Sequence, residues 1–175
     1  MPAANHRLAR IACCLAIAIA GSLAACGSNS TGGAGGSLNG SVIRVVDGDT
    51  IIVRLDGSDE RVRYIGIDTP ETVAPGRSVG CFGPQASKAN KALVEGRDVR
   101  LVLDSEPRDR YGRLLAYVYL AADGASGRFV NRELVAGGYA TAREYPPNTS
   151  HAAEFGELEA KARAANRGLW GSCQR

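Results

Sequence analysis

The sequence predicts an α+β fold, a small five-stranded barrel carrying three helices. Five short runs rich in Val, Ile, Leu and Tyr are separated by turn residues, and three stretches of helix formers lie between and after them. A Gly/Ser-rich stretch sets an N-terminal leader apart from about 135 residues, enough for one domain with a real core. No internal repeat or second linker divides that domain.

Ser41 to Val46 and Thr50 to Leu55 read as the first two strands. Asp56-Gly57 after the second is a hairpin signal, because that dipeptide tolerates the positive φ of a tight turn. Arg61 to Ile67 is the third strand, stopped by Pro70, which has no N–H to offer a ladder. Thr72 to Gly80 reads as a loop. Pro84 to Glu95 holds no β-branched residue until Val94 and has Gly96 just past its end, so it is a helix. Val99 to Leu103 puts Val99, Leu101 and Leu103 on one face as a fourth strand. Arg113 to Leu120 is the fifth, with Leu115, Tyr117 and Tyr119 alternating. Phe129 to Ala136 is a short helix ending at Gly137-Gly138, and Tyr139 to Arg143 extends as a strand before Pro146-Pro147 forces a loop. Ala152 to Arg167 is the last helix, capped by Thr149 or Ser150 and followed by Gly168. Five strands with helices at one end and after the last strand fit an antiparallel OB-like barrel.

The leader is not part of that fold. Arg7 and Arg10 precede the apolar run Ile11 to Leu23, which is short for a bilayer span and broken by Gly21-Ser22. It ends in Leu23-Ala24-Ala25-Cys26, which resembles a bacterial lipobox. Residues 1–25 are then a lipoprotein signal peptide, Cys26 is the lipidated first residue, and 26–40 form a flexible Gly/Ser-rich tether to a domain at 41–173. A plain secretory peptide is the alternative. Both place the protein outside the cytoplasm, anchored to the membrane or secreted. Losing Arg7 and Arg10 leaves 19 basic against 18 acidic side chains, about +1. A broad basic footprint for nucleic acid is therefore absent, and affinity for a polyanion must come from a local arrangement. Cys13 and Cys14 leave with the signal, so Cys81 and Cys173 remain as an expected disulfide in an oxidising compartment.

The chemistry concentrates in two acidic segments. Asp47-Gly48-Asp49-Thr50 is a tight-turn sequence whose two carboxylates, two residues apart, project to one side. Asp68-Thr69-Pro70-Glu71 follows the third strand. Adjacent antiparallel strands bring Asp49 and Asp68 near one end of the sheet. Two carboxylates and the Thr69 carbonyl offer only hard oxygen ligands, so calcium is favoured over zinc. Glu71 is the spare carboxylate that can act on water, and Arg63 and Arg113 can clamp a phosphate through paired donors. Cation, base and paired arginines together are what cutting a phosphodiester requires. Strict alternation from Arg63 nevertheless puts it on the opposite face from Asp68.

Taken in order, several segments resemble the thermonuclease, or staphylococcal nuclease-like, family. They are Val46-Asp47-Gly48-Asp49-Thr50, Arg63 with Asp68-Thr69-Pro70-Glu71, Phe82-Gly83-Pro84-Gln85-Ala86-Ser87, and Asp109-Arg110-Tyr111-Gly112-Arg113 running into Leu115-Ala116-Tyr117. Val130-Asn131, Leu134-Val135 and Gly168-Leu169-Trp170 follow, so the resemblance covers about residues 41–170. It implies an OB-fold barrel with three helices and a monomeric, calcium-dependent phosphodiesterase acting on DNA and RNA to leave 3′-phosphate ends. It implies Asp49, Asp68 and the Thr69 carbonyl as calcium ligands with Asp47 close by, Glu71 as general base, and Arg63 and Arg113 on the scissile phosphate. Tyr111 and Tyr145 match positions that contact the substrate's other phosphate and base. Two positions depart from the family's best-known member: Arg143 stands where that protein has a tyrosine, and Arg110 where it has a lysine. A non-catalytic OB module that binds single strands is the rival reading, and a structural lipoprotein serving an envelope partner a third. Neither needs Glu71, two metal carboxylates and two arginines at once.

Overall fold

The computed structural model describes residues 36–72, 78–121 and 127–173. The leader, Cys26 and the tether up to residue 35 lie outside the described residues, as does most of the loop expected after Thr72. Among the described residues no helix is long and apolar enough to cross a membrane.

The barrel is built from β1 (Ser37–Val45), β2 (Thr50–Leu55), β3 (Ser58–Tyr64), β5 (Asp98–Val102) and β6 (Leu114–Leu120). It closes in the order β1-β2-β3-β6-β5. Two short strands, β4 (Ile67–Asp68) and β7 (Thr141–Ala142), pair with each other beside it. Helix α1 (Gly83–Val94) links β4 to β5, α2 (Val130–Ala136) follows β6, and α3 (Ala152–Ala164) leads into the single turn α4 (Leu169–Ser172). Alternation explains the strands: Ile51, Val53, Val62, Tyr64, Val99 and Leu101 are buried in the barrel. The far end is closed by α2 and α3, which add Leu134, Val135 and Phe155 to the same core.

Four details differ from the sequence expectation. First, β1 begins at Ser37, where it pairs with Val102 of β5, so regular structure reaches into the stretch read as tether. Backbone pairing there does not need apolar side chains. Second, the barrel is mixed, because β3 and β6 run parallel with Val62 opposite Leu114. The chain between them passes through α1 and β5, a connection long enough to return in the same direction. Third, the strand expected over Arg61–Ile67 breaks after Tyr64. Gly66 has φ +79°, and a Cβ there would lie 2.6 Å from Cε2 of Phe155. Only glycine permits that turn and that contact, so the chain leaves the barrel and resumes as β4. Fourth, the last helix stops at Ala164, Asn166 adopts a φ of +50°, and α4 packs back with Trp170 under the Arg163 guanidinium, 4.1 Å from its ring centre.

Two buried asparagines tie these parts together. Asn131 of α2 donates Nδ2 to the Ile65 carbonyl (2.9 Å), and its Oδ1 accepts from the Val118 N–H (3.0 Å). The β3–β4 turn is thereby fastened to β6. Asn148 exchanges two bonds with the backbone of Glu106.

Cys81 and Cys173 form a disulfide, with Cα atoms 5.9 Å apart and a sequence separation of 92. The bridge pins the C-terminal turn to the segment before α1, where the Gly80 N–H donates to the Glu71 carbonyl at 2.7 Å. Closing so long a loop restricts the unfolded chain, a stabilisation of about 4–5 kcal/mol on chain entropy alone. Replacing both cysteines with serine is expected to lower unfolding free energy by about 2–5 kcal/mol in urea melts, and mass spectrometry of the non-reduced protein should find neither thiol alkylatable. A double variant as stable as the parent would show that the bridge contributes nothing.

Candidate active site

The first acidic segment is held by its own backbone. The β1–β2 connection turns with the Val46 and Asp47 N–H groups both donating to the Thr50 carbonyl. The Asp49 carbonyl accepts from the Tyr64 N–H at 2.9 Å, which sets the turn beside the end of β3. Gly48 lies against Thr69, and a Cβ on it would come within 2.7 Å of that side chain. Glycine lets the two acidic segments touch. A buried strut supports the turn from α1: the Tyr64 hydroxyl donates to Asn90 Oδ1 (2.9 Å), and Asn90 Nδ2 donates to the Asp47 carbonyl (3.0 Å).

Asp49 is 5% exposed. Its Oδ2 accepts from both the N–H and the hydroxyl of Thr69 at 2.8 Å, and Oδ1 accepts from the Thr50 hydroxyl at 3.1 Å. These bonds fix Thr69, and so its carbonyl, relative to the carboxylate. Asp47 accepts the Asp49 N–H at 3.1 Å. Its pKa is pushed up to about 6, first by burial and then by the charge of Asp49.

Arg63 sits opposite Thr50 in the β2–β3 ladder and is only 6% exposed. Its Nη1 lies 2.6 Å from Asp49 Oδ1, off the line of its N–H bonds and therefore an ion pair more than a hydrogen bond. Its Nη2 donates to Asp68 Oδ1 at 2.7 Å and to the Tyr145 hydroxyl at 3.3 Å. Burial pulls the guanidinium pKa down, but Asp49 and the neighbouring anions more than offset it and hold it above its ordinary value. Arg63 and Asp68 meet although unbroken alternation would separate them, because the turn at Gly66 swings Asp68 onto β4.

Arg113 comes from a tight turn before β6. Asp109 organises that turn by accepting the N–H groups of Tyr111 (2.9 Å) and Arg113 (3.0 Å), and its Oδ2 takes Arg113 Nε at 2.6 Å. Tyr111 is 68% exposed, with the Arg110 and Arg113 guanidiniums 4.8 and 5.5 Å from its ring centre. Glu71, half-buried, accepts the Thr72 N–H at 3.0 Å.

All eight predicted residues, Asp49, Asp68, Thr69, Glu71, Arg63, Arg113, Tyr111 and Tyr145, line one polar cavity of about 370 Å³, together with Asp47. An adjoining cavity of about 450 Å³ shares Arg63, Tyr111, Arg113 and Tyr145 and adds the apolar Ile65, Leu115 and Pro146. The first has the charges for a phosphate and the second the faces for a base. Among the described residues no three His, Cys, Asp or Glu side chains are gathered closely enough to hold a metal by themselves. Asp49 and Asp68 are joined through Arg63 instead. The donors there are all oxygen, the ligand type that a hard cation takes.

Sequence reasoning missed Asn90 and Tyr64, and placed Asp109 only within the family motif and Arg143 only as a departure from the family. Asn90 left a signal: with Ala86 and Val94 it repeats every four residues on the buried face of α1, and an amide in an apolar stripe marks a polar strut. Arg143 lies over the Tyr145 ring and 3.4 Å from Asp68 Oδ2.

The family model for the staphylococcal nuclease homologue matches residues 61–172. The chain is 43% identical over 129 residues to a thermonuclease of Staphylococcus intermedius, covering 74% of each protein. It is 40% identical to a thermonuclease of Staphylococcus hyicus, over 74% of this chain and 73% of that one. The endonuclease YncB of Bacillus subtilis (strain 168) is 40% identical over 76% of this chain and 62% of its own length. The chain belongs to the staphylococcal nuclease homologue family.

Proposed function

We propose that this protein is a monomeric nuclease that hydrolyses phosphodiester bonds of DNA and RNA, depends on calcium, and leaves 3′-phosphate ends. The observation that carries the reading is the single cavity in which buried Arg63, Arg113, Glu71 and the Asp49–Asp68–Thr69 oxygens face one another.

Asp49, Asp68 and the Thr69 carbonyl would hold the cation, which when bound supplies charge neutralisation and activation of water. The protein's own groups do the rest. Glu71 takes the proton of the attacking water, whose oxygen adds to phosphorus opposite the O5′ leaving group. Arg63 and Arg113 offset the charge that accumulates on the phosphoryl oxygens. Asp109 engages the Arg113 guanidinium only at Nε, and no described residue takes its terminal nitrogens. Asp109 thus aims the guanidinium while its outer fork serves the substrate. The P–O5′ bond breaks, so phosphate stays on the 3′ side. Tyr145 and Tyr111 hold the adjacent base and phosphate in place.

The export reading stands beside this one. Cys26 carries a lipid anchor, and the tether gives the catalytic domain reach toward a polymer. Cys26→Ser should leave the protein unprocessed or free of membranes without loss of nuclease activity. Processing and membrane partitioning both unchanged would argue for a retained helix or a simple secreted form.

The catalytic reading is tested with purified domain, single- and double-stranded DNA, and RNA. Activity should appear with calcium, vanish with chelator and return on adding calcium, with 3′-phosphate on the products. Glu71→Ala and Arg113→Ala should each lower kcat about a hundredfold or more with melting temperatures near the parent's. Full activity in chelator would remove the calcium requirement. Near-parental turnover in both variants would leave a binding module.

A further inference from the structure

We propose that the outer face of the barrel carries a flanking subsite for single-stranded nucleic acid, formed by Arg61 and Arg44 in a row that begins at Arg113. This subsite rests on the nuclease reading and deepens it. The strand registers place the row. Val62 opposite Leu114 in the parallel β3–β6 pair sets Arg61 beside Arg113. Arg61 is opposite Ile52 in the β2–β3 pair, and Ile52 is opposite Arg44 in the β1–β2 pair. Residues opposite one another point to the same side of a sheet, so Arg113, Arg61, Ile52 and Arg44 cross the strands on one face. Three strand steps of about 5 Å make a track of roughly 15 Å leading from the scissile site.

Arg61 and Arg113 also share a surface hollow of about 300 Å³ with Tyr111 and Gly112, so the track is continuous with the site. Arg61 and Arg44 are exposed, and neither has a carboxylate partner among the described residues. The nearest acids of β3 are already engaged: Asp59 pairs with Arg54, and Glu60 with both terminal nitrogens of Arg108. Most other arginines around the barrel and helices are paired, including Arg128 with Glu133, Arg132 with Glu154 and Arg163 with Glu159. In a domain with almost no net charge, Arg61 and Arg44 extend the row from the Asp109-paired Arg113 with two uncompensated cations. Exposed Tyr111 offers a stacking face at its start, and Ile52 and the exposed Ile43 offer apolar contacts along it. A basic track with one exposed ring at its start and apolar faces along it suits an unpaired strand, whose bases can turn inward, better than a duplex.

The test separates binding from cleavage. Anisotropy of a labelled single-stranded oligonucleotide of about ten nucleotides is followed in chelator over a range of salt for the parent, Arg61→Ala, Arg44→Ala and the double variant. Arg163→Ala, on α3, is the control. The double variant should bind about tenfold more weakly near 0.1 M salt, with a salt slope shallower by about 0.7 per arginine, and the control should match the parent. With calcium, turnover of a dinucleotide too short to reach the row should be unchanged in every variant, while KM for the longer strand rises. Parental affinity and slope in the double variant would overturn the subsite, and an equal loss on duplex would overturn the single-strand assignment. A parent that binds but cleaves neither substrate would defeat the nuclease reading and leave the binding comparison to decide the row.

Discussion

A guanidinium buried at the rim of the barrel sets the terms for everything around it. Arg63 is removed from water, and a lone cation there would cost several kcal/mol. Asp49 and Asp68, each within 2.7 Å, make that burial tolerable. The dependence runs both ways. Asp49 is buried too, and without Arg63 it would have only the Thr69 and Thr50 donors to offset its charge. The β1–β2 turn, the end of β3 and the β4 extension are therefore held in register by one cation and two anions. The acids proposed to hold a metal are thus also the acids that let β3 end where it does.

Neutral struts brace the charged cluster. The Tyr64–Asn90 pair reaches from β3 and α1 to the Asp47 carbonyl, and Asn131 reaches from α2 to Ile65 and Val118. Both asparagines are fully buried with their amide groups engaged. A buried polar network that is satisfied rigidifies its surroundings, whereas one missing partner is costly. Helices that looked from sequence like packing elements are also the means by which the core fixes the position of the acidic turn. The disulfide continues this at the surface by holding the Gly80–Cys81 segment against Glu71.

The elements, the two acidic segments and the approach of Asp49 to Asp68 were legible in the sequence; what carries Arg63 to Asp68 was not. Alternating Val and Ile in Thr50–Leu55, and helix formers ended by glycine after Val94 and Ala136, report local preferences that the tertiary structure keeps. The Asp47–Thr50 and Asp68–Glu71 segments are contiguous, so their chemistry can be read directly. What brings Arg63 to Asp68 depends on Gly66 turning under Phe155, a residue 89 positions further along. No local pattern contains that contact. The parallel β3–β6 pairing is hidden for the same reason, since register between distant strands is set by the closed barrel. Asp109 was legible as part of a motif but not as the residue that orients Arg113.

The coupling between Arg63 and Asp49 holds this end of the barrel in register, and a double-mutant cycle measures it most directly. Urea unfolding of the parent, Arg63→Met, Asp49→Asn and the double variant gives the interaction free energy. Each single change leaves a buried charge short of its nearest partner, so the double variant should be more stable than the sum of the two losses implies, by about 1–3 kcal/mol. Losses that add to within about 0.5 kcal/mol would mean the pair is not coupled and would contradict the account.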